Sequence, residues 1–205
     1  MSIHMERLSE MNKELDKRVE RSRRLLINTL LELMAERPYS KISVANICEH
    51  SSVARPTFYL HFRSKDDLLR YYIEQMFLQF AEQIDPILTA SPTVDPEIAT
   101  IMFRQWQEHA DLARLLVAPD VEAILLNEFK RYVGHVIDRF VEAHKLKISS
   151  DSKIHYVVDF LAGASFSVIV RWIREDFRET PEELSALYAD LSRPGLIQVL
   201  MSGKL

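Results

Sequence analysis

Four glycines in 205 residues leave almost nowhere for the backbone to turn tightly. A many-stranded sheet needs positive-φ residues at its hairpins, so the chain is read as all-α. Its eight prolines serve as helix punctuation, and Pro86, Pro92 and Pro96 bracket the one convincing loop, Thr89 to Pro96. An apolar share of 47% with 27% charged residues is an ordinary globular balance, and the length suffices for a core without staples. The single cysteine, Cys48, excludes an intrachain disulfide and a cysteine-based zinc site. It reads as a small buried residue in a reducing compartment, which points to the cytoplasm. The first residues, with Glu6, Arg7, Glu10, Lys13 and Glu14, carry no apolar core of a signal peptide. The run Phe160 to Val170, closed by Arg171, is about half of the roughly 20 residues that a membrane helix needs, so no membrane partner is expected.

Apolar residues at Leu26, Ile27, Leu30, Leu31, Leu33 and Met34 recur at three- and four-residue steps, predicting a helix that ends before Pro38. Ser43 is a good N-cap for a two-turn helix with Val44, Ile47 and Cys48 on one side. After Ser51-Ser52 a third short helix starts near Ala54 or Arg55, because Pro56 is tolerated only in a first turn. Ser64 caps a long fourth helix, with Asp66 and Asp67 at its positive dipole end, running to about Pro86. Four more helices are expected: about Glu97 to Leu116, Asp120 to His144, Ser152 to Asp176 and Pro181 to Leu191. A further short helix is expected from Ile197 to Met201.

The net charge of −4 hides an asymmetry. Lys17 to Lys65 holds ten basic against four acidic residues, whereas Ala81 to the end holds 13 basic against 19 acidic. A basic head on an acidic body suits a polyanion-binding module. Two short helices joined by a tight turn behind a longer helix fit a helix-turn-helix, whose second short helix enters the major groove. In such a helix Val53, Phe58 and Phe62 point inward, leaving Arg55, Pro56, Thr57, Tyr59 and His61 outward.

The run Val53-Ala54-Arg55-Pro56-Thr57-Phe58-Tyr59-Leu60-His61-Phe62-Arg63-Ser64-Lys65-Asp66-Asp67-Leu68-Leu69 resembles the signature of the TetR family of bacterial transcriptional regulators. The likeness is strong from Arg23 to Met76. It implies an N-terminal three-helix helix-turn-helix domain joined by a long fourth helix to a helical ligand-binding and dimerisation domain. Residues 1–17 are then an N-terminal extension, 18–65 the DNA-binding domain and 66–205 the second domain. Ser52 stands where that family usually has glycine, so either a left-handed backbone there costs on the order of 1 kcal/mol or the turn is of another type, and His50 replaces a small residue before the turn.

The side chains suggest a division of labour on double-stranded DNA. The Arg55 guanidinium suits bidentate donation to guanine O6 and N7, and Pro56 suits a thymine methyl. Thr57, Tyr59 and His61 carry donors for phosphate oxygens, while Lys65 and Ser43 sit at helix starts that favour anions. Asn46 is equally readable as a DNA contact or a solvated residue.

In the C-terminal part, Phe160 to Ile173 followed by Thr180-Pro181-Glu182-Glu183-Leu184 is similar to the last two helices of many family members, which usually form the dimer interface. That likeness marks Leu161, Ser165, Ile169, Trp172, Leu184 and Leu187 as interface residues, with Ile154 and Val158 adding area and small residues such as Ala162 and Gly163 allowing close approach. Met102, Phe103, Trp106, His109, Phe129, Tyr132, His135 and Val136 sit at helical spacing. They either line a pocket for a small apolar or amphipathic ligand or fill a core.

No metal site is expected around His109 and His135, no cofactor motif is present, and the sequence shows no nucleophile-base pair or phosphate-cradling loop of an enzyme. The expected function is a ligand-responsive repressor that binds a palindromic operator as a homodimer. The alternative is a helix-turn-helix protein whose C-terminal domain answers to a protein partner. On either reading Arg55→Ala weakens specific binding by roughly 1–3 kcal/mol and relaxes preference at one base. Lys65→Ala weakens all sequences alike and flattens the salt dependence; titrations against matched and mismatched duplexes separate the two.

Overall fold

A computed structural model describes residues 2–91, 95–146 and 153–201, with side chains over 17–91, 95–146 and 153–191. Among these residues every regular element is helical. Two compact units result, Met1–Tyr72 and Ile73–Leu205, divided within one long helix.

In the first unit α1 spans Ser2–Glu36 and buries Leu26, Leu30 and Leu33 at three- and four-residue steps. Pro38 ends it, and a 3₁₀ turn, Tyr39–Lys41, leads to α2, Val44–Ser51. Ser43 closes a capping box there: its Oγ accepts from the Asn46 amide at 3.1 Å while its own amide donates to Asn46 Oδ1 at 3.0 Å. The turn into α3, Arg55–His61, passes through Ser52 at φ 55°, ψ 22°. The left-handed backbone expected for a glycine is therefore carried by serine. Ser51 braces the turn, its Oγ accepting from the Val53 amide at 3.3 Å. The three helices meet over Leu26, Ile47, Phe58 and Phe62, all buried.

The long helix α4 spans Lys65–Ala90. Ser64 Oγ accepts from the Asp67 amide at 3.1 Å, and Asp67 Oδ2 accepts from the Arg63 amide at 2.9 Å, so the start of α4 is capped by two side chains. The helix was expected to stop near Pro86 but runs four residues further. A proline in the last turn removes one hydrogen bond, and the exposed Pro86 ring meets no core.

The second unit adds α5 (Pro96–Glu108), α6 (Ala110–Leu116), α7 (Glu122–Ala143), α8 (Ile154–Arg174) and α9 (Pro181–Met201). Asp95 Oδ1 caps α5 by accepting from the Glu97 amide at 2.8 Å, and Pro96 takes its first position. The single helix expected over 97–116 is in fact two, broken at His109 (φ −111°, ψ 40°). Apolar spacing from Phe103 and Trp106 to Ala113 and Leu116 continues through the break, which is why periodicity misses it. The halves part because α5 packs on α9 while α6 packs on α8. Likewise α9 is one helix through Arg193-Pro194-Gly195, where an end at Leu191 and a separate 197–201 helix were expected.

Rings fill the core. Phe77 stacks on Tyr132 (5.0 Å, 15°) and meets Phe129, which meets Phe166. Asp176 and Phe177 close α8 with positive φ of 58° and 57°. Arg114 holds that corner, reaching Asp176 at 2.7 Å with its guanidinium over the Phe177 ring. By length and composition α8 passes as a membrane span, longer than the apolar run read from sequence. Eight of its side chains are nevertheless buried in this unit, the pattern of a core helix.

Ser52 supplies a test of the turn. Ser52→Gly removes the left-handed strain and should raise stability by about 0.5–1 kcal/mol, read as a higher urea midpoint with an unchanged slope.

Candidate nucleic-acid interface and ligand cavity

The first unit presents α3 edge-on. Phe58 is fully buried and Phe62 nearly so, which turns Arg55, Pro56, Tyr59 and Leu60 outward and leaves Thr57 and His61 half-buried at the flank. Tyr59 is 59% and Leu60 81% exposed. Leu60 was missed from the sequence, although a helical projection places it four residues after Pro56 on the same face. Leu60 carries no polar donor, and it extends the apolar strip that Pro56 begins.

Two expected contacts prove to be occupied within the head. Lys65 Nζ donates to the Tyr39 carbonyl at 2.7 Å and lies 4.1 Å over the Tyr39 ring, while the Tyr39 hydroxyl donates to Asp66. Lys65 thus ties the start of α4 to the 3₁₀ turn. Ser43 is committed to its capping box and also donates to Asn46 Oδ1 at 2.7 Å, which equally accounts for Asn46. Arg55 and Arg63 make no ion pair among the described residues and remain available for a polyanion. Burial, assisted by the Arg23 charge, holds the His61 imidazole below its ordinary pKa. Near pH 7 it is a neutral donor. Burial pushes the Cys48 thiol up against the opposing pull of Arg55, so Cys48 stays an inert core thiol.

In the second unit a cavity of about 150 Å³ opens among α4, α5, α7, α8 and α9. Of the residues expected to line a pocket, Met102, Phe129, Tyr132 and Val136 do so. Phe103 instead packs on Trp172 at 5.4 Å, and Trp106 sits between Phe77 and Phe80. His109 is exposed at the α5–α6 break, and the exposed His135 borders a shallow groove beside Glu74 and Arg131. Sequence reading missed Ile137, Phe140 and Tyr188. Tyr188 belongs to a different helix, and nothing local in its sequence signals a cavity. Burial also pushes the Tyr132 phenol up, keeping it protonated.

The expected interface residues need correction too. Leu161, Ser165, Ile169, Trp172 and Leu184 are buried by their own chain, with Leu161 and Ser165 on the cavity wall; Leu187 alone of the six is well exposed, at 53%. The outward stripe of α8 is Tyr156, Phe160, Ala164 and Ser167, with Phe160 at 67% exposure, and α9 adds Leu191. Apolar residues lie on both faces of α8, so sequence alone does not distinguish the core stripe from the outer one.

A short exposed helix, locked by Phe58 and set against a two-turn helix and a longer brace, defines a helix-turn-helix protein. Residues 26–72 match the description "Bacterial regulatory proteins, tetR family", and residues 96–193 match "Transcriptional regulator C-terminal region". The chain belongs to the tetR family of bacterial regulatory proteins. Over 83 residues it is 36% identical to the uncharacterized HTH-type transcriptional regulator YxbF of Bacillus subtilis, covering 40% of this chain and 21% of that one. It is 22% identical to the fatty acid metabolism regulator protein of the same organism, covering 57% and 60%. The chain thus spans from about a fifth to three fifths of the length of these curated relatives. Its fold is similar to that of a TetR transcriptional regulator from Streptococcus agalactiae (TM-score 0.64, 22% identity, 89% and 99% of the two chains). It is also similar to the fatty acid degradation regulator FadR from Bacillus halodurans (TM-score 0.60, 19% identity, 85% and 96%).

The lysine tie separates stability from recognition. Lys65→Met should lower the stability of the protein by about 1–2 kcal/mol through the lost charged hydrogen bond and ring contact. Arg55→Ala, on an exposed side chain, should leave it within about 0.5 kcal/mol; paired urea titrations read both.

Proposed function

We propose that this protein is a cytoplasmic transcriptional repressor that binds a palindromic operator as a homodimer and answers to a small molecule. The observation that carries the reading is the outward face of α3, where Arg55, Pro56, Tyr59 and Leu60 stand exposed on a basic unit. Arg55 donates to guanine, Pro56 and Leu60 meet thymine methyls, and Tyr59 with Thr57 and His61 reaches phosphates. Lys65 contributes charge, but chiefly positions α4. Two heads related by a twofold axis read successive major grooves, and occupancy of the operator blocks transcription.

The outer stripe of α8, Tyr156, Phe160 and Ala164, together with Leu187 and Leu191 of α9, forms the twofold contact. Large apolar side chains exposed at three- and four-residue steps favour a partner helix. The open apolar cavity favours the small-molecule response over the protein-partner alternative, which a packed core would have supported. Two of the relatives are named for fatty acid metabolism or degradation, and an apolar cavity is compatible with a ligand from lipid chemistry. The ligand acts by preferring the DNA-incompetent state: roughly 3 kcal/mol of preference per dimer lowers operator affinity about a hundredfold. Helix α4, which runs from the reading head into the cavity-bearing unit, is the covalent route for that coupling.

Selection of sites from a random duplex pool tests the reading. Recovery of a two-half palindrome, with affinity falling steeply in salt, is expected; no enrichment over non-specific binding would refute sequence-specific regulation and leave the partner-responsive alternative. In sedimentation the protein should run at about twice its 23.9 kDa chain mass. Phe160→Glu should run at the chain mass and lose palindrome affinity.

A further inference from the structure

Resting on the ligand-responsive reading above, we infer that the cavity of the second unit takes an uncharged ligand, an apolar body bearing a hydroxyl or carbonyl group, and rejects carboxylates and phosphates. Its walls are aliphatic and aromatic, and apart from Asp95 the polar side chains on the lining are hydroxyls. The Ser165 and Tyr188 hydroxyls lie 2.8 Å apart, and Ser165 Oγ donates to the Leu161 carbonyl at 2.6 Å. Such groups exchange hydrogen bonds with an alcohol or carbonyl but neutralise no charge.

Asp95 is the one charged residue on the lining, and its carboxylate already caps α5 through the Glu97 amide. It repels an anion, and a cation would have to compete with the helix dipole for it.

Among the described residues, each arginine and lysine of the surrounding helices in this unit is paired with a carboxylate. On α5, Arg104 holds Glu182 at 2.7 Å and Glu97 at 3.3 Å. On α7, Lys130 holds Asp159 at 2.9 Å, Arg131 holds Glu128 at 3.1 Å, and Arg139 holds Asp85 at 2.7 Å. On α8, Arg171 faces Glu175 and Arg174 faces Glu122. The part of α4 beyond Tyr72 and the residues of α9 with described side chains hold no Lys or Arg. His144 gives its Nε2 hydrogen to the Leu88 carbonyl at 3.0 Å, and His135, Lys145, Lys153 and His155 are exposed and off the lining. A carboxylate entering the cavity would lose its water and, among the described residues, find no cation, which costs orders of magnitude in affinity.

Calorimetric titration of the full-length protein with decanol, decanoate and decyltrimethylammonium at neutral pH tests the inference, with Tyr188→Phe and the cavity-filling Val136→Phe as variants. Decanol should bind at least about tenfold more tightly than either ion, a gap of about 1.4 kcal/mol. Tyr188→Phe, which keeps the ring and removes the hydroxyl, should weaken decanol several-fold, and Val136→Phe should abolish its binding. Decanoate or the ammonium binding as tightly as decanol overturns the uncharged class while the ligand-responsive reading stands. Decanol binding that both variants leave unchanged also overturns it, since the alcohol then sits elsewhere. Binding by none of the three probes removes the ligand-responsive reading and the inference with it.

Discussion

A helix of seven residues does not hold itself together in water, since nucleation costs more than so few hydrogen bonds return. Helix α3 exists because Phe58 is buried completely and Phe62 almost so against α1 and α2. That burial has a directional consequence. With two rings turned inward at a four-residue spacing, Arg55, Pro56, Tyr59 and Leu60 have no direction left but outward. The reading face is therefore a by-product of packing, and every proposed DNA contact depends on it.

Short elements also need their ends fixed. The capping box of Ser43 and Asn46 closes the start of α2, the left-handed Ser52 sets the angle to α3, and Ser64 with Asp67 closes the start of α4. Lys65, Tyr39 and Asp66 bind the last of these junctions to the turn after α1. Polar groups that look like ligand contacts in a linear sequence are here the fastenings that hold the contact helix at its angle.

Charge is used differently in the two units. The reading head keeps Arg55 and Arg63 clear of acidic partners, as a surface meeting phosphates requires. On the cavity-bearing helices of the second unit each described arginine and lysine is matched to a carboxylate. The pairs are mostly exposed and contribute little stability one by one. Their collective effect is that, among the described residues, these helices offer the cavity no unpaired arginine or lysine, which is the basis of the uncharged ligand class proposed for it.

Local chemistry was legible in the sequence. Apolar spacing, the caps at Ser43 and Ser64, the position of Pro56 and the basic bias before Lys65 depend on residues within a few positions of one another, and they determined the all-helical class, the helix-turn-helix and, Leu60 excepted, the exposed residues of α3. What depended on neighbours distant in the chain was decided only by the tertiary structure. Continuous apolar spacing hid the break at His109, because the separation of α5 from α6 arises from their different partners, α9 and α8. Two apolar stripes on α8 were indistinguishable until packing buried Ile169 and Trp172 and left Phe160 outside. The cavity shows the same limit: Met102, Phe129 and Tyr188 come from three helices, and periodicity along one helix carries no information about which faces of the others it will meet.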